Sequence, residues 1–253
     1  MLDTCDVTRK VSCEWPACSL PKDHWSGETN PFCLRSKTYL KDKRKQPCCE
    51  AMFDLIGMDL LEIDAPVQDV AKTLPGGFAD RYLNQQTSTP KPYLFIVHFQ
   101  LPGDKKLAFI GYFAAKPGVL EADTNSAKLF QAFISGTDAF RQSRFKFIPC
   151  VSKGPYLVKS MVGSTPAILG NKLTQTYHKG DGYFEVCVDV GSSTIGGGLL
   201  KLVKGYLTTL TFDMCFLLEA QSDEELPEVS LATLRFANLD LRFAQKFVPS
   251  SSS

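Results

Sequence analysis

What this chain lacks narrows its function first. No stretch offers the roughly 18 uncharged apolar residues that a bilayer-crossing helix needs; the nearest, residues 195–218, is interrupted by Lys201, Lys204 and Asp213. The opening MLDTCDVTRKVSCEWPACSLP carries Asp3 and Asp6 and no apolar run, so it does not read as a secretory signal. A cytoplasmic setting is expected, with any membrane association peripheral. An excess of charge is equally absent: 28 basic residues face 27 acidic ones, a net of +1, so no global field favours nucleic acid and none is expected as a partner. No Ser-His-Asp signature, GxSxG elbow, GxGxxG loop or Walker loop is visible, and no internal repeat. The expectation is a protein that is not an enzyme and that needs no cofactor.

Cysteine is plentiful but badly spaced for metal. The chain has nine, an odd number, which fits reduced thiols better than a disulfide framework. Cys5, Cys13, Cys18, Cys33, Cys48 and Cys49 crowd the first fifth, yet only Cys13 and Cys18 approach the two-to-four-residue ligand spacing of zinc sites. No metal is expected.

What is present suits a globular domain. The 253 residues are 44% hydrophobic and 22% charged, and a domain of this size buries roughly three quarters of its unfolded surface. Without a clean linker, the organisation expected is an extension over 1–21, one domain over 22–247 and a serine-rich tail over 248–253.

Patterning along the chain supplies the elements. Residues 32–35 read as a short strand, and 67–83 as an amphipathic helix broken at Pro75-Gly76-Gly77. A hairpin is expected from 93–101 and 107–115 across the Pro102-Gly103-Asp104 turn, its second strand apolar on both faces, as in a sheet covered on both sides or one facing a cavity. Leu129, Phe130, Phe133, Ile134 and Phe140 repeat at helical offsets within 126–141. Residues 145–149 and 156–162 look like paired strands across Lys153-Gly154-Pro155, and 183–190 alternates as another. Gly191-Ser192-Ser193-Thr194 breaks that strand, and 194–220 reads as one long core helix, before a last strand over 231–241.

Several residues stand out as candidates. On a helical wheel of 194–220, Asp213 falls on the apolar side near Leu202, Tyr206 and Leu217, where an ionised carboxylate needs a partner; Arg235 is the expected one. His98 lies in the aromatic-rich hairpin, either orienting a ligand or satisfied in the core. His98, Tyr112, Tyr206, Asp213 and Arg235 are therefore the candidate ligand-pocket residues. Arg35, Lys37, Lys41, Lys43, Arg44 and Lys45 put six cations within eleven residues, a candidate site for anionic headgroups or a polyanion, or else a solvated loop. Glu185 and Asp189 flank Cys187 on one strand face, which an outward polar face explains without acid–base chemistry.

The series FKFIPCVSKGPYLVKSMVGSTPAILGNKL, YHKGDGYFEVCVDVGSSTIGGGLLKLVKGYLTTLTFDMCFLLEA, ELPE and LATLRFANLDL, with FCLRSKTYLKDKRKQP and PYLFIVHFQLPG upstream, resembles the C-terminal domain of the plant protein Enhanced Disease Resistance 2 and its relatives, over about 23–243. In the plant protein this domain follows a pleckstrin homology domain and a START lipid-binding domain, in what resembles a membrane-associated regulator of pathogen-triggered cell death. Those neighbours' lipid binding does not transfer automatically, and the family domain supplies no catalytic residues. The glycines at 196–198 depart from the larger apolar or alanine residues expected there.

The architecture expected is α+β: a curved, mostly antiparallel sheet gripping the long helix 194–220, START-like in having a hydrophobic pocket. The function expected is a non-catalytic module for a lipid or other apolar ligand, at an anionic membrane surface through the basic loop. The alternative is a ligand-free interaction or scaffold domain with a protein partner.

Overall fold

The computed structural model describes residues 16–29, 32–48, 50–86 and 90–247. Cys5, Cys13 and Cys49, most of the 1–21 extension and the 248–253 tail lie outside them. In chain order the strands are β1 (Trp25–Ser26), β2 (Cys33–Arg35), β3 (Lys45–Pro47), β4 (Phe53–Ile63), β5 (Leu94–Leu101), β6 (Lys106–Ala115), β7 (Phe145–Lys153), β8 (Ala167–Ile168), β9 (Thr174–Gly180), β10 (Tyr183–Asp189), β11 (Thr211–Leu218), β12 (Ser230–Ala237) and β13 (Gln245–Lys246). The helices are α1 (Tyr39–Asp42), α2 (Val70–Thr73), α3 (Phe78–Asn84), α4 (Asn125–Ser135), α5 (Asp138–Arg144), α6 (Tyr156–Val162) and α7 (Thr194–Lys204). The class is α+β.

The long strands divide between two mostly antiparallel sheets, ordered β13-β4-β6-β5-β10-β9 and β1-β12-β11-β7-β8, while β2 and β3 form a separate ribbon. Period-two alternation dictates how the sheets face each other. Phe95, Phe99, Phe109 and Phe113 of the first sheet share one core with Phe145, Phe212, Phe216 and Phe236 of the second. The opposite faces of β5 and β6, including Ile96, Ile110 and Tyr112, pack under α2 and α3. Both faces of the hairpin are buried, which is why its sequence is apolar on both.

The two ends of the layer between the sheets differ. At one, α4 inserts Phe130 and Phe133 among Phe53, Phe95, Phe145 and Phe184, with ring centroids 5.1–6.0 Å apart. Thr124 caps α4 by accepting from the Ala127 amide. At the other, α7 packs on the turn after β10 and on α6.

Two expectations change here. The helix expected over 194–220 stops at Lys204; after Gly205 and a short turn the chain becomes β11, the central strand between β7 and β12. The helix-grip arrangement therefore lacks its long helix. Apolar residues on both faces of 211–218 mimic helical periodicity in a strand that is covered on both sides. Residues 156–162 form α6 rather than a strand, entered from Pro155 and ended by Gly163 at φ 63°. The partner of β7 is instead β11, pairing Phe147 with Phe216. Packing also begins before residue 22: Leu20 is buried, and its carbonyl accepts from the Trp25 indole at 3.1 Å.

Candidate functional site

At the α7 end the sheets enclose a cavity of about 400 Å³, within the roughly 300–1,000 Å³ typical of small-molecule sites. Phe99 and Phe109 line it from one sheet, Phe147, Met214 and Phe236 from the other, and Leu199 and Val203 from α7. Polar groups, among them Thr165, Lys172, Ser193 and Lys204, also border it. Ile195 lines the cavity and is 79% exposed, so the cavity reaches the surface beside the first turn of α7. Such a space suits an apolar body with a polar end near the rim.

The helix above it is weakly built. Ser193 caps α7, but Gly196, Gly197 and Gly198 follow in its first turns, each costing about 1 kcal/mol of helix propensity relative to alanine. A Cβ on Gly197 or Gly198 would meet nothing within 4 Å, so packing does not require glycine there.

None of the five expected pocket residues lines this cavity. Asp213 and Arg235 meet as expected, but as cross-strand partners on the outer face of the second sheet. Arg235 Nε and Nη2 donate to Asp213 Oδ1 and Oδ2 at 2.6 and 2.9 Å, and the bond to Asp213 holds the guanidinium above its usual range. Tyr206 sits half-buried in the turn after α7. Tyr112 lies under α3, stacked on Phe78 at 4.3 Å, and donates to Asp59 Oδ2 at 2.9 Å. Burial raises the Asp59 carboxyl above the normal range.

His98 belongs to a buried polar group on the face of the first sheet turned away from the cavity, and its Nε2 has no hydrogen-bond partner among the described residues. Its Nδ1 donates to Glu185 Oε1 at 3.2 Å, and Glu185 Oε2 accepts from the Val70 amide at 2.7 Å. Gln100 Nε2 reaches Cys187 Sγ at 3.1 Å and the Val67 carbonyl at 2.7 Å. Burial alone lowers the affinity of His98 for a proton, but Cys187 and Glu185 outweigh it and carry the pKa up to about 9. Glu185 is thus fully buried, not on an outward polar face; Asp189 is half-buried and caps the following turn through the Gly191 amide. One donor atom each from His98, Glu185 and Cys187 lies within 4.8 Å of the others, so these three could hold a metal ion. Both Glu185 oxygens already accept hydrogen bonds, however, and the arrangement reads as a brace joining β5 and β10 to the start of α2.

The six expected headgroup residues separate into two groups. Arg35 is tied inward, donating to the Ala220 carbonyl at 2.7 Å and to Glu219 at 2.9 Å, and Lys37 donates to the Asp223 and Leu226 carbonyls. Lys41, Lys43, Arg44 and Lys45 stay exposed on and beside the β2–β3 ribbon, with Arg44 3.6 Å from Asp42. Near Arg35, the buried Lys146 pairs with Glu228, and burial lowers its pKa. No expectation covered this group.

The cavity wall was missed because its residues come from many segments. Phe147-Ile148-Pro149 and Phe212-Asp213-Met214 alternate with period two, a signal that names a face but not a void. Reading 211–218 as helix hid the second of these.

A family model for "Protein ENHANCED DISEASE RESISTANCE 2, C-terminal" matches residues 25–240. A curated Arabidopsis thaliana protein described as "Protein ENHANCED DISEASE RESISTANCE 2-like" is 36% identical over 215 residues, covering 85% of this chain. The chain spans 28% of that relative's length. No solved structure matches. The match from β1 to beyond β12 takes in both sheets and the cavity between them, and the chain belongs to the Enhanced Disease Resistance 2 C-terminal family.

Proposed function

We propose that this domain is a non-catalytic binding module for a lipid or other apolar small molecule, held between the sheets beneath α7. The supporting observation is the apolar cavity of about 400 Å³, walled by aromatic and aliphatic side chains from both sheets and open beside Ile195. Around Phe130 the aromatic rings fill the layer between the sheets; here Phe99, Phe147 and Phe236 border a space that side chains leave open. The buried polar cluster of His98, Glu185 and Cys187 does not line it.

Native mass spectrometry of the purified protein tests this reading. The expected result is an added mass of lipid size, or uptake of a fluorescent fatty acid after delipidation. A bare polypeptide that also takes up no probe overturns it.

A further inference from the structure

We infer that the face made by α6, the loop after it and the first turn of α7 docks onto an anionic lipid bilayer, with its apolar side chains entering the headgroup–acyl boundary. The inference rests on reading the cavity as a lipid site, and adds where the lipid is exchanged.

The distribution of exposed apolar residues comes first. Among the described residues, five large hydrophobic side chains are exposed, and four of them are gathered here: Tyr156 (85%), Leu157 (54%) and Met161 (59%) on α6, and Ile195 (79%) on α7. Single exposed apolar residues need no explanation, but a cluster on two helices that pack together does. Water solvates all four in the free protein, so burial in lipid returns their transfer free energy.

Charge identifies the partner. From residue 139 to 180 and again from 190 to 212 there is no aspartate or glutamate, in a chain that as a whole carries 28 basic and 27 acidic residues. Those segments carry Lys153, Lys159, Lys172 and Lys201, all exposed, and none forms an ion pair with a described residue. Unpaired cations around an apolar patch match a surface that is negative outside and apolar beneath, which is an anionic leaflet. Lys45 of the ribbon borders a small cleft together with Pro166 of the loop after α6, a cleft that also holds Glu219 and Glu228, so one exposed cation of the ribbon adjoins this face.

Position links the face to the cavity. Val162, Thr165 and Ala167, from the end of α6 to β8, line the cavity opposite Ile195 and Leu199 of α7. A bilayer meeting this face therefore meets the cavity mouth, and an acyl chain crosses no water to enter. The glycine-rich first turns of α7 lie at that mouth.

Flotation of the full chain with vesicles of phosphatidylcholine, with and without phosphatidylserine, tests the inference. Wild type is expected to float with the phosphatidylserine vesicles, more weakly as salt rises. Leu157→Asp with Met161→Asp, at exposed positions outside the cavity wall, is expected to lower that binding roughly tenfold or more. The same variant should keep wild-type uptake of a fluorescent fatty acid in vesicle-free buffer, which confirms its fold. Tyr156→Trp should show fluorescence quenched by brominated lipid. Wild type that ignores both vesicles, including one whose α6 face pairs with a protein instead, overturns the inference, as does a double variant that floats like wild type. Equal, salt-independent binding to both vesicles overturns the anionic partner. Vesicle binding without fatty-acid uptake overturns the cavity reading alone.

Discussion

Replacing Gly197 and Gly198 with alanine tests whether α7 is a loosely held cover over the cavity. Both sit inside the helix, and an added Cβ meets nothing within 4 Å at either. The change therefore removes backbone freedom from the unfolded segment without cost in the folded one. Each glycine weakens a helix by about 0.8–1.0 kcal/mol relative to alanine, so the pair is worth about 1.5–2 kcal/mol, a factor of roughly 12–30 in the opening equilibrium of α7. Gly196 is the internal control: its Cβ would lie 3.0 Å from both Leu173 Cδ2 and the Val190 carbonyl oxygen, so alanine there forfeits the gain. Hydrogen exchange of the 194–205 peptide is the assay, followed by the rate at which a fluorescent fatty acid leaves the protein. Slower exchange in the double variant, with probe release slowed by up to the same factor, is expected. Unchanged exchange, or Gly196→Ala stabilising as well as Gly197→Ala, refutes the reasoning.

Other expectations follow from the buried polar groups and the cavity wall. Arg235 is 29% exposed and Asp213 is fully buried, so the two halves of their pair are unequal. Arg235→Ala strands a buried carboxylate and should cost about 3–5 kcal/mol in urea unfolding, whereas Asp213→Ala leaves an arginine that reaches water and should cost about 1–2 kcal/mol; equal losses contradict this asymmetry. His98 gains proton affinity on folding, from 6.5 to about 9. Its contribution is therefore complete below about pH 6.5 and lost as pH rises through about 9, on the order of 3 kcal/mol in total. The urea midpoint should fall across that window, and His98→Gln should flatten the fall; a wild-type midpoint that stays level there disproves the assignment. Met214→Trp, pointing into the cavity from β11, should weaken fatty-acid uptake about tenfold while leaving the melting temperature within a few degrees. Full uptake by that variant places the ligand elsewhere.

Period-two alternation was enough to assign Phe95, Val97, Phe99 and Leu101 to one face of β5, and Leu94, Ile96 and His98 to the other. The Asp213–Arg235 pair was also legible, because a carboxylate among apolar neighbours demands a cation wherever the backbone places it. The expectation survived a wrong element: the argument rested on desolvation, not on helical geometry. Glu185 shows the converse. Its alternation with Phe184 and Val186 was read correctly, but which face meets water depends on α2, whose Val70 amide arrives from 115 residues away.

The sequence alone determined the class, the family and, in strands such as β5 and β10, which side chains share a face, since those follow from local periodicity and from an ordered run of motifs. Tertiary structure decided that 211–218 is a central strand, because apolar residues on both faces fit a buried helix and a doubly covered strand equally well. It also decided that a space remains under α7. A cavity is the difference between the volume that two sheets enclose and the volume their side chains fill, and no single segment of the chain carries either quantity.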